Sequence, residues 1–431
     1  MKKTILLIMI FVFVVSLFAT GVMAEEKTII KVAIGGSAIP SAKKLAEMYN
    51  ESHPGVDVQI LEMPDSSTDS LNLYLQFFEA KSSEVDILVV DVVWPGIIAD
   101  HLVDLNKYGA EEIVKDHFEA NINNNTVEGR LVAMPWYTDA GLLFYRTDLL
   151  KKYGYNEPPK TWDELEGMAA RIQKGERAER KEDFWGYVWQ GNAYEGLTCN
   201  ALEWIYSNGG GTIINNDKEI TIYNPEAVAA VKQAAGWVGS ISPESVTGLI
   251  EESSRHIWQS GNAAFMRNWP YAYQLGNAAD SVIKGKFDLA PLPAGDSGFA
   301  AAALGGWQLA VSKYSKHKKI AADVVKFMTS YDAQKYRAIE ESYNPTIKAL
   351  YKDKEVLEVR PYYNRLYDVF MSAVARPTTV TSTKYNEVSA LFFRAVHSVL
   401  TGKDSADNAL GYLQLDLQSV TGFETSSPET K

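Results

Sequence analysis

Apolar and polar residues alternate from Thr28 to Ile34, with Ile30, Val32 and Ile34 on one side, and the period predicts a strand. Gly35-Gly36-Ser37 ends it. The spacing then changes. Ala42, Leu45, Met48 and Tyr49 recur at helical intervals, behind Ser41 as an N-cap. Pro54-Gly55 makes a turn, and Val56, Val58 and Ile60 alternate as a second strand. Leu71 to Phe78 has helical spacing. Val85 to Val90 is a short, almost unbroken apolar run ending in Asp91, the pattern of a strand covered on both faces. Strand, helix, strand, helix, strand is the order of a doubly wound α/β lobe. Ligands of such sheets bind beyond the carboxyl ends of the strands, where Ser37 and Asp91 both lie.

The stretch Met134 to Arg146 breaks this rhythm. Two Tyr, a Trp, an Asp and Pro135 precede a β-type run from Leu142 to Tyr145. Pro135 cannot donate to a central ladder, so the chain is expected to enter a sheet here rather than run through one. An aromatic, polar segment between two buried regions suits a crossing between lobes. Thr161 and Glu164 form a capping box ahead of a helix through Leu165, Met168, Ala169 and Ile172. Lys174 to Asp183 reads as a solvated helix end. Trp204 to Gly211 reads as a helix with a glycine stop, Asn216-Asp217 as a hairpin turn, and Asn224-Pro225 as the start of the next helix. Ala263 to Tyr271 passes from buried apolar residues into Asn268, Trp269 and Tyr271. Leu304 to Gln308 does the same, and a strand-like Leu309-Ala310-Val311 follows. From Ala321 onward the pattern is mostly helical, and the tail from Ser426 to Lys431 is expected to be disordered.

Length and composition sharpen this outline. The 431 residues, 46% of them hydrophobic, can bury a large core and make two domains. A single cysteine, Cys199, excludes an internal disulfide, and six scattered histidines without HExxH leave no zinc pattern. No metal and no cofactor is expected. Lys2 and Lys3, the apolar run Ile5 to Phe18 and Val22-Met23-Ala24 have the order of an export signal cleaved after Ala24, which places the mature chain in the periplasm or outside the cell. A retained membrane anchor is the alternative. The formal charge is −12, and removing Lys2 and Lys3 takes it to −14, a surface that repels nucleic acid and anionic lipid. The glycines after the first strand match neither GxGxxG nor a P-loop. The 10 Trp and 23 Tyr include several beside Gly, Pro, Asn and Asp, which hints at an aromatic-lined ligand surface.

Together these segments resemble the solute-binding proteins of sugar-type ABC importers, in the maltose/trehalose-binding branch. The resemblance covers nearly the whole mature chain. It is carried by Ala133-Met134-Pro135-Trp136-Tyr137, Pro159-Lys160-Thr161-Trp162-Asp163-Glu164-Leu165, Gly186 to Gly191, Glu195-Gly196-Leu197, Asn268 to Tyr271, Gly305-Gly306-Trp307 and Ala375-Arg376-Pro377. It implies two α/β lobes joined by a hinge, with a sugar bound between them. The lobes would be 25–138 plus 309–341 and 139–308 plus 342–431, with crossings near Thr138–Gly141, Gly306–Gln308 and Ser342–Asn344. It also implies a monomer that hands its sugar to membrane ABC permease subunits. Residue by residue, it puts Asp91, Tyr137, Asp139, Trp269, Tyr271, Gly306, Trp307 and Arg376 in the site, beside Ser37. Trehalose-binding relatives place a Glu where this chain has Ser37-Ala38-Ile39-Pro40, and basic residues where it has Ser66 to Ser70, so the chain departs from their pattern there.

Sugar chemistry suits that set. Ionised carboxylates such as Asp91 and Asp139 accept from neighbouring hydroxyls, and a guanidinium such as Arg376 donates in a fork. Indole faces such as Trp269 and Trp307 cover the apolar C–H face of a pyranose and exclude water beside it. Each residue has a plainer alternative: Asp91 as a turn or cap, Arg376 in a structural salt bridge, the indoles in the core. Trp136, Trp162 and Trp204 are assigned to packing, while Trp94, Trp189 and Tyr343 stay open. Two rival functions remain: a secreted glycosidase using Asp91 and Asp139, or a binder of another solute such as a polyamine.

Overall fold

The computed structural model describes residues 27–179, 182–363, 367, 369 and 373–426. The export signal and all but the first residue of the tail lie outside the described residues.

The opening pattern folds as its periods require. Strand β1 (Thr28–Gly35), helix α1 (Ile39–Ser52), β2 (Val56–Met63), α2 (Ser67–Glu79) and β3 (Ile87–Asp91) follow in turn. β1 pairs in parallel with β2 and β3. Ile30, Val32, Ile34 and also Ala33 are buried, because both faces of the sheet are covered. One face packs on α1, α7 (Lys318–Met328) and α8 (Tyr331–Glu341), and the other on α2. Ser41 is not the N-cap. Pro40 sits in the first turn and starts the helix earlier, and the buried Ser41 hydroxyl instead accepts from Arg337 Nε at 2.8 Å.

This first sheet has the order β2-β1-β3-β9-β4, where β4 is Met134–Ala140 and β9 is Leu304–Val311. Pro135 therefore lies on an edge strand, where its missing N–H costs no central ladder bond. β9 starts at Leu304 rather than Leu309. It runs antiparallel to β3 on one side and β4 on the other, with an irregularity between Trp307 and Gln308.

A second sheet has the order β8-β5-β7-β6, from β8 (Phe287–Pro291), β5 (Leu142–Arg146), β7 (Ala263–Asn268) and β6 (Trp185–Val188). It shares one core with α3 (Trp162–Ala178), α4 (Glu195–Ser207), α5 (Pro225–Trp237), α9 (Tyr385–Leu400) and α10 (Ala406–Thr421). Thr161 caps α3 by accepting from Glu164 N, while the Glu164 carboxylate accepts from Lys160 N rather than closing the box on Thr161. Asn224 caps α5 ahead of Pro225, and Ile214 pairs with Ile220 around the Asn216-Asp217 turn. The molecule is thus a two-lobed α/β protein, one lobe built on each sheet.

The lobes are joined by hydrogen-bonded chain. β4 and β9 stay paired through Gly306↔Thr138, Gly305↔Asp139 and Leu304↔Ala140. Alongside them, Thr138 N donates to Asn344 O at 3.0 Å and Asn344 Nδ2 to Thr138 O at 3.1 Å. Among the described residues no helix is long and apolar enough to cross a membrane.

Candidate functional site

A cleft of about 950 Å³, counted out to its open mouth, lies where the two sheets face each other. All nine residues singled out in the sequence line it: Ser37, Asp91, Tyr137, Asp139, Trp269, Tyr271, Gly306, Trp307 and Arg376. Ser37 comes from the short turn after β1 and Asp91 from the last position of β3. Tyr137 and Asp139 lie on β4, Gly306 and Trp307 on β9, Trp269 and Tyr271 just after β7, and Arg376 in the chain before α9.

On the first sheet, register fixes the arrangement. Asp91, Trp307 and Tyr137 are cross-strand neighbours on β3, β9 and β4. Gly306 has φ +132, and a Cβ there would lie 2.7 Å from Tyr137 O, so only glycine lets β9 follow β4 this closely. The Trp307 indole is half-buried. It stands edge-on to the buried Trp94, with ring centres 5.5 Å apart and planes at 87°. Trp94 is therefore the support of Trp307 and does not itself line the cleft.

Just beyond the second sheet, Trp269 is also half-buried. The Arg267 guanidinium sits 4.0 Å from its ring centre. Arg267 is held in turn by Glu203, at 2.9 Å from Nε and 2.5 Å from the terminal amine, and both side chains are fully buried. A charge in that setting needs its partner. The far edge of the indole lies over Gly305, where a Cβ would approach it to 2.8 Å.

Between the walls, Arg376 spans the lobes. It donates to Glu195 Oε1 at 2.7 Å, to Asp91 Oδ1 at 3.3 Å and to Leu304 O at 3.2 Å. Glu195, at the start of α4, also accepts from the Tyr385 and Ser389 hydroxyls. Its backbone N donates to Thr68 Oγ1 at 3.2 Å, a second contact across the cleft. Asp91 accepts from Val93 N at 3.2 Å, so its turn role and its place in the cleft coexist. Burial pushes the Asp91 carboxyl up to about 6, opposed by Arg376 and aided by Glu195. Arg376 lies nearer Glu195, which leaves Asp91 only partly compensated. Burial also raises Asp139 well above the usual carboxylate range, against the pull of Arg337 and Arg267. Asn344 Nδ2 donates to Asp139 over a long 3.4 Å.

The packing assignments hold: Trp136, Trp162 and Trp204 are buried in the cores. The open cases resolve the same way. Trp189 is buried with Nε1 donating to Ser242, and Tyr343 is buried against Tyr137 and Arg337. Neither lines the cleft. Reading the sequence did not pick out Asp65, Glu195, Glu251 or Glu252, which also line it. Glu195 lies inside a quoted motif, yet only the fold brings it to Arg376, 181 residues away. Glu251 and Glu252 open an amphipathic helix, α6 (Glu251–Gln259), and read as ordinary first-turn acids. Among the described residues no group of His, Cys, Asp or Glu could hold a metal ion.

Residues 35–335 match the family model described as bacterial extracellular solute-binding protein. A probable ABC transporter-binding protein of Deinococcus radiodurans is 53% identical over 387 residues, which is 90% of this chain and 92% of that one. The solved structure of maltose-bound MalE3 from T. maritima is 41% identical with a TM-score of 0.86, covering 91% of this chain and all (100%) of that one. A solute-binding protein of Thermotoga lettingae with bound α-D-tagatose, 23% identical with a TM-score of 0.82 over 92% of this chain and 100% of its own, shares the fold.

Proposed function

The chain belongs to the bacterial extracellular solute-binding protein family, as the solute-binding component of an ABC transporter, and from that premise we propose that it binds a neutral di- or oligosaccharide with high affinity in the cleft and delivers it, chemically unchanged, to membrane permease subunits. The observation that carries this reading is the pair of half-buried indoles, one on the first sheet and one just beyond the second, with Asp91, Asp139 and Arg376 lining the same cleft. Flat apolar faces beside hydroxyl-reading polar groups are what a pyranose requires. The maltose bound by the 41% identical relative supports the same class.

In this reading the lobes divide as 25–138 plus 309–341 and 139–308 plus 342–431, with the division running inside β4 and β9, so that Trp307 stands on the first sheet at the crossing itself, and they close about crossings at 138–141, 306–308 and 342–344. A ligand drives closure only if it prefers the closed state. The mature protein is exported, cleaved after Ala24, and works as a monomer.

Thermal melting and calorimetry with maltose, maltotriose, monosaccharides and spermidine test the reading. A ligand binding only the folded state adds about 2.7 kcal/mol at a hundred times its dissociation constant. The expected result is a raised melting temperature with an α-linked oligosaccharide, compaction in solution scattering, and no cleavage of chromogenic glycosides. Stabilisation by spermidine alone, or turnover of a glycoside, would replace the proposal with one of its rivals.

A further inference from the structure

The Trp269 wall carries two carboxylates with no role assigned above. Glu251 and Glu252 are consecutive residues at the start of α6, where the helix dipole favours negative charge. Glu251 Oε1 accepts from Trp269 Nε1 at 3.3 Å, and its Oε2 accepts from the Tyr194 hydroxyl at 2.5 Å. Glu252 Oε1 accepts from the Tyr271 hydroxyl at 2.7 Å, and its Oε2 accepts from Arg255. Both aromatic residues of the Trp269-Pro270-Tyr271 segment therefore have their polar edges tied to neighbouring carboxylates.

The tie is built in from several sides. Tyr194 reaches Glu251 by lying across Gly196, where a Cβ would come within 2.1 Å of its hydroxyl. Asn268 donates to Glu251 O at 3.2 Å and accepts from Trp269 N at 2.8 Å, so the two segments are also pinned through their backbones. Arg267 supports the indole ring. The Trp269 N–H and the Tyr271 O–H are thereby spent within the protein, and what these rings offer the cleft is carbon. Trp307 contrasts with them, since it rests edge-on against Trp94 rather than on a carboxylate.

Resting on the sugar-binding reading, we infer that Glu251 and Glu252 are positioning and specificity-determining residues: they fix the Trp269 and Tyr271 rings by their polar edges, so that this wall selects a ligand presenting a C–H face rather than a hydroxyl acceptor. Neither carboxylate needs to touch the sugar. Both Glu251 oxygens are already engaged, and a hydrogen bond to a charged acceptor holds a ring more firmly than a neutral one.

The test has a ligand-free arm and a binding arm. In a nitrogen-labelled sample, the Trp269 indole N–H resonance is assigned by its disappearance in Trp269→Phe. Glu251→Ala should move it more than any other indole signal and speed its exchange with water. Glu251→Gln, which keeps an acceptor oxygen, should restore most of the position and the slow exchange. In calorimetry with maltose or the best oligosaccharide, Glu251→Ala should bind roughly tenfold more weakly and Glu251→Gln within about threefold of the parent. An unmoved Trp269 signal in Glu251→Ala overturns the inference whatever the ligand. Lost affinity with an unmoved signal would mean that Glu251 contacts the sugar itself. If the parent binds no sugar, the functional reading fails, while the indole signal still decides whether Glu251 holds the ring.

Discussion

The two walls of the cleft reach the same end by different physics. The Trp307 wall rests on strand register and an aromatic edge: β9 is paired on both sides, and Trp94 stands beneath the indole. The Trp269 wall lies beyond the end of β7 and is fixed by charge: Arg267 and Glu203 at the ring, Glu251 and Glu252 at the polar edges. A sheet fixes a side chain through its backbone neighbours. A residue outside the ladder needs side-chain partners to be equally fixed. The difference teaches that pre-formed sites need not share a mechanism even within one cleft, and it predicts unequal sensitivity to mutation.

The largest effect should come from breaking the charged support. Arg267→Met leaves Glu203 fully buried without its partner, so the cost in stability should be about 3–5 kcal/mol. Urea unfolding checks this; a cost under ~1 kcal/mol would show that the ion pair does not support the wall. Next comes Trp307→Ala, which keeps the sheet but removes an anchor at the centre of the contact. It should weaken sugar binding by about 2 kcal/mol, roughly thirtyfold, and more than Asp91→Asn does. Calorimetry on variants that melt like the parent decides it, and binding within twofold would move Trp307 out of the site.

Gly305→Ala is a smaller probe, placed on the Trp307 strand and pressing on the Trp269 ring. Its Cβ would crowd the Trp269 ring and the Asp139 Cβ. An overpacking cost of about 1 kcal/mol should appear as roughly fivefold weaker binding. Unchanged affinity would mean that the Trp269 ring shifts freely, against the rigidity argued for it. The smallest effect concerns pH. Asp91 sits at about 6 rather than 3.8, so the folded protein holds this proton more tightly than the unfolded chain. Its contribution therefore favours folding below about pH 4 and is lost as pH rises through about 6. Binding runs the opposite way if the ionised form accepts from hydroxyls. Affinity should fall about twofold from pH 7 to pH 6, and this step should vanish in Asp91→Asn.

Much of the architecture was legible because period reports burial. The alternation of Ile30, Val32 and Ile34 and the run before Asp91 gave the parallel strands. Glycine beside tryptophan, with the family resemblance, led to the nine cleft residues. What stayed hidden depends on distance through space. Nothing near Glu195 in the sequence announces Arg376, Tyr385 or Ser389. Glu251 and Glu252 are indistinguishable from helix-start acids until Trp269 and Tyr271 fold against them. The start of α1 was misplaced because Ser41 carries a capping side chain, whereas Pro40 sets the first turn.

The paired β4 and β9 segments, with Asn344 bonded alongside, form a strap rather than separate threads. A strap of this kind resists sliding, because every ladder bond would have to break together, yet it bends and twists at little cost. If the lobes rotate about it as proposed, it gives them a lever arm. Displacement would then grow with distance from the strap, so Asp139 and Gly305, which lie on it, would move little. The Thr68–Glu195 contact, made between two helix starts on opposite walls, would shift with the lobes. The floor of the cleft would act as a fixed gauge, and the mouth as an adjustable one.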